Sequence, residues 1–318
     1  MVIEFPERFF PGALQTIWNN IDELNFGKEG ASGREITVDM SNLKYTDAEG
    51  VNYIVLFPIF FDNMKFTVNI ILPNSKNVIS FVESFGILEY LYSNFNVFES
   101  GKKHPSVYDK TEKVTNVQNE FFSKTGLNYI IKQDNISNIF REEKNWRNLF
   151  SLNEILTKNC LQCVFELADN IFAHSKENAG CVTLQFRKSP HLKNKSHIGQ
   201  LLLAVSDLGI GIEESFKHFH RNEIGDKSDK LKGWKILKYA LEPGVSSTGL
   251  SLRGYGLHHV SKLSDILTIS SGYGVYYLNN RKNINKGQKT KFIPGTSILI
   301  TFDIYNENIN NIKLKHTI

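Results

Sequence analysis

Glu166 and Asn170 stand four residues apart in LQCVFELADNIFAHS (161–175), a stretch whose spacing predicts one long helix. Side chains at that spacing lie one above the other, so a carboxylate and a carboxamide share one strip of the helix surface. Val164, Phe165, Leu167, Ala168, Ile171 and Phe172 supply a broad apolar face, which predicts that most of the circumference is buried. A carboxylate so placed is able to orient or deprotonate a nucleophile within hydrogen-bond reach. A carboxamide oxygen is a neutral ligand for a hard cation. Taken alone, such a pair also describes a solvated helix face.

Three glycine-rich turns follow it. LAVSDLGIGI (203–212) is a strand running into Asp207, Gly209 and Gly211; Gly254, Gly256 and Leu257 open a helix; Gly295 and Thr296 open the strand GTSILITF. One G-x-G is weak evidence, but four features in fixed order are hard to obtain by accident. In that order they resemble the Bergerat-fold, or GHKL, ATPase superfamily, which includes gyrase, heat-shock chaperones, histidine kinases, MutL and anti-sigma-factor kinases. The wording FELADNIFAHS, with His174 four residues after Asn170, is most similar to the anti-sigma-factor serine kinase branch. The resemblance covers residues 151–304.

The resemblance implies a site for ATP and Mg²⁺. It assigns to Asp207 a hydrogen bond from the adenine amino group; guanine carries a carbonyl there and would leave the carboxylate unpaired. Gly209 and Gly211 are then expected at positive φ beside the base. Asn170 is the implied Mg²⁺ ligand and Glu166 the implied base acting on water or a partner's hydroxyl. The segment between Ile212 and Gly254 corresponds to the ATP lid. Its end places Ser246, Ser247, Thr248 and Arg253 near the γ-phosphate and Gly254, Gly256 and Leu257 at a helix N-terminus, where N–H groups favour anions. Thr296 falls on the adenine side. The plainer readings stay open: Asp207 starting a turn, Gly295-Thr296 starting an edge strand and His174 filling a core or rim position.

These residues need a scaffold. CVTLQFR (181–187), GQLLLAVSD (199–207), ILTIS, YGVYYL and GTSILITF read as strands of a mostly antiparallel sheet, the first alternating as a one-sided sheet does. Helices stacked on one face would make an α/β sandwich, with the long helix lying on the sheet. Ser151-Leu152-Asn153-Glu154 fits a capping box, which starts that helix near residue 152 and gives it some six turns.

Residues 1–100 alternate differently: a helix candidate after Pro11, a strand at 34–40, a strongly apolar segment at 48–61 capped by Asp47, a strand at 66–72, and one or two helices in NSKNVISFVESFGILEYL. This predicts a small α/β domain. VDMSNLKYTDAEG and VESFGILEYL within it resemble the STAS domain of anti-sigma-factor antagonists. That family carries Asp-Ser-Ser-Gly where this chain has Asp47-Ala48-Glu49-Gly50, so its phosphorylated serine falls at Ala48, which has no hydroxyl. Glu49 then stands as a conceivable built-in negative charge. The expected organisation is α/β throughout: a STAS-like interaction domain (1–100), a linker region (101–150) and a GHKL-type ATP-binding domain (151–318).

Composition narrows the function. In 318 residues, 41% hydrophobic and 22% charged describe a folded protein, and a net charge of +4 offers no electrostatic argument for nucleic acid. Cys160 and Cys163 share the long helix without a second ligand pair, so packing is expected of them, and His218-x-His220 lacks a third ligand. RKNINKGQKTK (281–291) reads as a solvated basic loop. No secretory signature or membrane-length apolar run is present, and a cytoplasmic protein is expected. The function these features imply is an ATP-binding regulatory protein, a Mg²⁺-dependent ATPase or protein serine/threonine kinase acting on a STAS-like or other regulatory partner, with homodimerisation compatible. The alternative is a non-catalytic, ATP-dependent interaction switch.

Overall fold

Alternating burial marks the first strands: β3 (Glu35–Asp39) and β5 (Thr67–Ile71) bury every second residue, sending Ile36, Val38, Val68 and Ile70 into one core. With β1 (Val2–Glu4) and β6 (Asn96–Glu99) they run parallel in the order β1-β3-β5-β6, and β7 (Lys102–Lys103) adds an antiparallel edge. β2 (Arg8–Phe9) and β4 (Tyr45–Thr46) form a short parallel pair. The computed structural model describes residues 1–9, 13, 17, 34–99, 102–103, 120–122, 126–132, 153–174, 179–188, 197–219, 231–245 and 254–305. Most of the helix expected after Pro11 lies outside them.

Helix α1 (Ala48–Asn63) starts where expected, with Asp47 Oδ1 accepting from the N–H groups of Glu49 and Gly50 at 3.2 Å each. It is buried continuously from Ala48 to Pro58. A helix apolar on all sides needs cover on all sides. One side rests on β3 and β5; the other meets a second sheet. Aromatic rings of Phe5, Phe9, Tyr53, Phe57 and Phe61 stack along it, each such buried side chain stabilising by about 2 kcal/mol. Helices α2 (Lys76–Glu83) and α3 (Ile87–Asn94) follow β5 as expected.

The second sheet is antiparallel throughout: β8 (Glu120–Phe122), β9 (Gly126–Lys132), β10 (Ala179–Lys188), β11 (His197–Asp207), β12 (Ile266–Asn279) and β13 (Ile284–Tyr305) lie in the order β12-β13-β11-β10-β9-β8. One face packs Val182, Leu184, Leu203, Val205, Ile298 and Ile300 against helices α4 (Glu154–His174), α5 (Gly211–Phe219), α6 (Trp234–Tyr239) and α7 (Gly256–Leu263). The opposite face carries α1, with Ala48 against Leu202, Ala204 and Leu299. The molecule is thus mixed α/β, with a parallel and an antiparallel sheet sharing one helix. Among the described residues, no helix is long and apolar enough to cross a membrane.

Several expectations are corrected. Helices do not stack on one face of the antiparallel sheet only, because α1 covers the other. The polar positions of β10 that suggested a one-sided strand are therefore sheltered and partnered: Thr183 is fully buried, and Gln185 accepts from the Ala48 N–H at 3.0 Å. Within the 101–150 segment read as linker, β8 and β9 extend the sheet through pairing with β10. ILTIS and YGVYYL form one strand, not two. Extended, its 14 residues would reach about 45 Å, yet the Asn280 N–H donates to the Asp265 carbonyl at 2.9 Å. The β12–β13 ribbon therefore doubles back, at the register shifts around Ser271, Gly272 and Gly274. The expected loop at 281–291 is mostly strand, since β13 pairs from Ile284 onward.

Candidate functional site

The helix bearing Glu166 and Asn170 begins at Glu154, and its cap is Asn153: Oδ1 of that residue accepts from the Leu156 N–H at 2.9 Å. Glu154, expected to reach back in a capping box, forms an i,i+4 ion pair with Lys158 at 2.7 Å; Ser151 lies outside the described residues. Val164, Leu167, Ala168 and Ile171 face the core, as does the pair Cys160 and Cys163. Burial pushes the Cys163 thiol up to about 12, with Glu166 nearby adding to the effect, so it is held as a thiol. Phe165 departs from the expected apolar face and is 46% exposed. The cause is angular: Val164 and Ile171 point at the sheet, and their neighbour turns away from it. The side chains of Phe172 and His174 lie outside the described residues.

Glu166 is half-buried because α7 packs on α4. A Cβ built on Gly256, the first residue of α7, would lie 2.5 Å from Glu166 Oε2, so the end of the Glu166 side chain lies close against the start of α7 and would have to swing aside for any larger residue there. The Tyr255 N-cap makes no side-chain bond to the amides of that first turn, and the carboxylate therefore stands beside a helix N-terminus without a side-chain cap. Gly254 adopts φ 102°, and its carbonyl accepts from the Gly244 N–H at 3.1 Å, tying together the ends of the 245–253 stretch. Leu257 sits partly buried against the core below. Ser246, Ser247, Thr248 and Arg253 lie outside the described residues, as do the side chains of His218 and His220. The 212–254 segment, expected as a lid, is in part regular: it contains most of α5 and all of α6, and Trp234 stacks on Tyr276 at 6.5 Å and 7°.

Asp207 ends β11 on the face shared by Leu203 and Val205, which is the α4 face. In register it sits between Thr296 of β13 and Gly180 of β10, and Ile171 of α4 lies directly over Gly180. Thus the sheet end that carries Asp207 and Thr296 meets the helix turn that carries Asn170. Asn170 Nδ2 is buried and finds no hydrogen-bond partner among the described residues. Burial pushes the Asp207 carboxyl up to about 7, opposed by the N–H groups of Gly209 and Thr296. Gly211 adopts φ 76° as expected. Gly209 does not enter the left-handed region; its N–H turns back to Asp207 Oδ1 at 2.7 Å, so its part is to hold the carboxylate.

Sequence reasoning missed Ser271. It is fully buried, donates to the Gly295 carbonyl at 2.7 Å, accepts from the Ile212 N–H at 2.9 Å, and lies 3.4 Å from Thr296 Oγ1. One hydroxyl thereby joins the Asp207 turn to the Gly295-Thr296 turn. Only the break in β12 pairing marks the spot, and pairing is not visible in a single strand's composition.

The Asp47-Ala48-Glu49-Gly50 turn faces inward. Ala48 has no exposed surface, and Glu49 is 2% exposed with Oε1 accepting from Ser297 Oγ at 2.5 Å. Burial, with Asp47 nearby, pushes the Glu49 carboxyl up to about 8. A built-in negative charge at Glu49 is thus disfavoured by its surroundings: the carboxyl is sequestered from solvent, and burial favours its neutral form. No protein-family model matches the chain, and no curated protein matches it.

Proposed function

We propose that the chain is an ATP-binding regulatory protein, a Mg²⁺-dependent ATPase or protein serine/threonine kinase of the anti-sigma-factor-kinase type, working in the cytoplasm on a STAS-like or other regulatory protein. In this reading residues 151–318 are a Bergerat-type nucleotide-binding unit and residues 1–100 a STAS-like one. The observation that carries it is the approach of Glu166 Oε2 to Gly256 at the start of α7. It joins two motifs ninety residues apart in the chain, about where a phosphate-binding helix N-terminus and a base must meet.

Asp207 accepts from the adenine amino group, with Gly209 and Gly211 shaping the turn and Thr296 beside the base. Asn170 Nδ2, without a hydrogen-bond partner among the described residues, fits a role of this side chain toward Mg²⁺: turning the amide by 180° exchanges Nδ2 with Oδ1 and presents an oxygen. Bound Mg-ATP supplies the transferable γ-phosphoryl group. Around it, Gly254, Gly256 and Leu257 offer backbone N–H groups to the phosphates, and Ser247, Thr248 and Arg253 are assigned to the γ-phosphate side. Glu166 orients and deprotonates the attacking hydroxyl. Ala48 is buried and without a hydroxyl, so this turn does not supply the acceptor.

A second reading, a non-catalytic switch, is favoured by one feature: α1 is hydrogen-bonded to β11, which ends in Asp207, and to β13 beside Thr296. Titration with ATP, ADP and GTP, with and without Mg²⁺, on wild type and Asp207→Asn tests the site. Phosphate release or partner phosphorylation lost in Glu166→Ala with binding retained selects the enzyme. ATP binding without turnover in the presence of candidate partners selects the switch.

A further inference from the structure

Two residue pairs sit back to back at the end of the antiparallel sheet. Asp207 and Thr296 are register partners on the α4 face; Ser206 and Ser297, the adjoining partners, face α1. The two serine hydroxyls lie 2.9 Å apart. Helix α1 closes on both. Ser297 Oγ donates to Glu49 Oε1 at 2.5 Å, and Asn52 Nδ2 donates to Ser206 Oγ at 3.0 Å and to the Cys181 carbonyl at 3.1 Å. Asn52 Oδ1 in turn accepts from Thr183 Oγ1 at 2.6 Å. Asn52, Thr183, Ser206 and Ser297 have no exposed surface.

An apolar contact would hold a buried helix to a sheet at least as firmly as these groups do. What directional bonds add is register, since each fixes where its partner sits along the strand. Ser206 and Ser297 are bonded in sequence to Asp207 and Thr296, so the backbone positions of the two pairs move together.

We propose that Glu49 and Asn52 are positioning residues for the adenine site: acting through Ser297 and Ser206, they set the spacing of Asp207 and Thr296 and make adenine recognition depend on the seating of α1. The inference rests on the assignment of Asp207 and Thr296 to adenine made above. By linkage, a nucleotide held by that pair stabilises the seated helix in return.

The test uses the full chain and titrates ATP and GTP into wild type, Ser297→Ala, Glu49→Ala and Glu49→Gln, with Ile70→Val in β5 as a control that loosens the core away from the network. Ser297→Ala and Glu49→Ala are expected to lower the ATP-to-GTP affinity ratio by about fivefold to tenfold. Glu49→Gln, whose side-chain oxygen still accepts from Ser297, keeps the ratio, and Ile70→Val lowers Tm without moving it. Should Glu49→Ala fail to fold, Ser297→Ala, which removes one hydroxyl, decides. A ratio unchanged in Ser297→Ala, with ATP bound normally by wild type, overturns the inference and leaves the nucleotide assignment standing. A wild type that binds no adenine nucleotide overturns both.

Discussion

Glu49 and Ser297, 248 positions apart in the chain, share a buried hydrogen bond of 2.5 Å that fastens the first turn of α1 to β13. The next residue back along β13, Thr296, faces Asp207 across the sheet. One strand thus presents one residue to the helix behind it and the neighbouring residue to the candidate site in front.

The Glu49 carboxyl is raised from 4.5 to about 8, so the folded chain holds a proton that the unfolded chain releases near 4.5. Between those values the folded state binds more protons, and its stability falls as pH rises through that window. Glu49→Gln removes the dependence. Melting curves from pH 5 to 8 are expected to show the variant gaining on wild type by roughly 1 kcal/mol per pH unit. A constant difference across the window counts against a buried, protonated Glu49.

Asp207 carries the same sign, with its carboxyl raised from 3.8 to about 7. Asp207→Asn is expected to raise the melting temperature of the nucleotide-free protein at pH 8 and to weaken ATP by about tenfold or more, the scale of a lost hydrogen bond to a charged group. ATP affinity of wild type should fall as pH drops through 7, because the protonated carboxyl is the poorer acceptor. The variant's affinity should stay flat. Calorimetric titration at pH 6, 7 and 8 checks both.

Glu166→Gln is expected to reduce turnover by about 10² to 10⁴, the usual contribution of a general base, with ATP affinity within a few-fold of wild type. Gly256→Ala puts a methyl group where Glu166 Oε2 now lies, so the carboxylate must swing aside, and turnover should fall more than binding. Steady-state kinetics beside a binding isotherm separate the two effects. Equal losses in kcat and affinity for Glu166→Gln would argue against its role as base.

Asn153→Ala removes the cap of the helix that carries both Glu166 and Asn170. A loss of about 1 kcal/mol is expected. Adenine selectivity should not change, since the cap lies at the far end of α4. Denaturant unfolding measures the first and competition between ATP and GTP the second.

Much of the site's local grammar was legible because it is local. Helical spacing sets Glu166 and Asn170 on one strip, alternation sets the face of Asp207, and Asp47 caps α1 through amides two and three residues away. Capping was legible only as chemistry: several polar residues precede α4, and Asn153 won because the helix begins one residue after it. Among the described residues, the one misplaced on the apolar face of α4, Phe165, came from a face drawn too wide.

What the chain's sequence determined by itself is therefore the long helix, α1 and the central strands, and which of their side chains share a face, since these follow from backbone geometry over a few residues. Tertiary structure alone decided that α1 lies between two sheets, that β12 and β13 double back, and that Glu49, Asn52, Ser206 and Ser297 are buried polar groups rather than surface ones. A buried polar group is costly unless a partner meets it. The partners of these four come from 91 or more residues away, where no periodicity reaches.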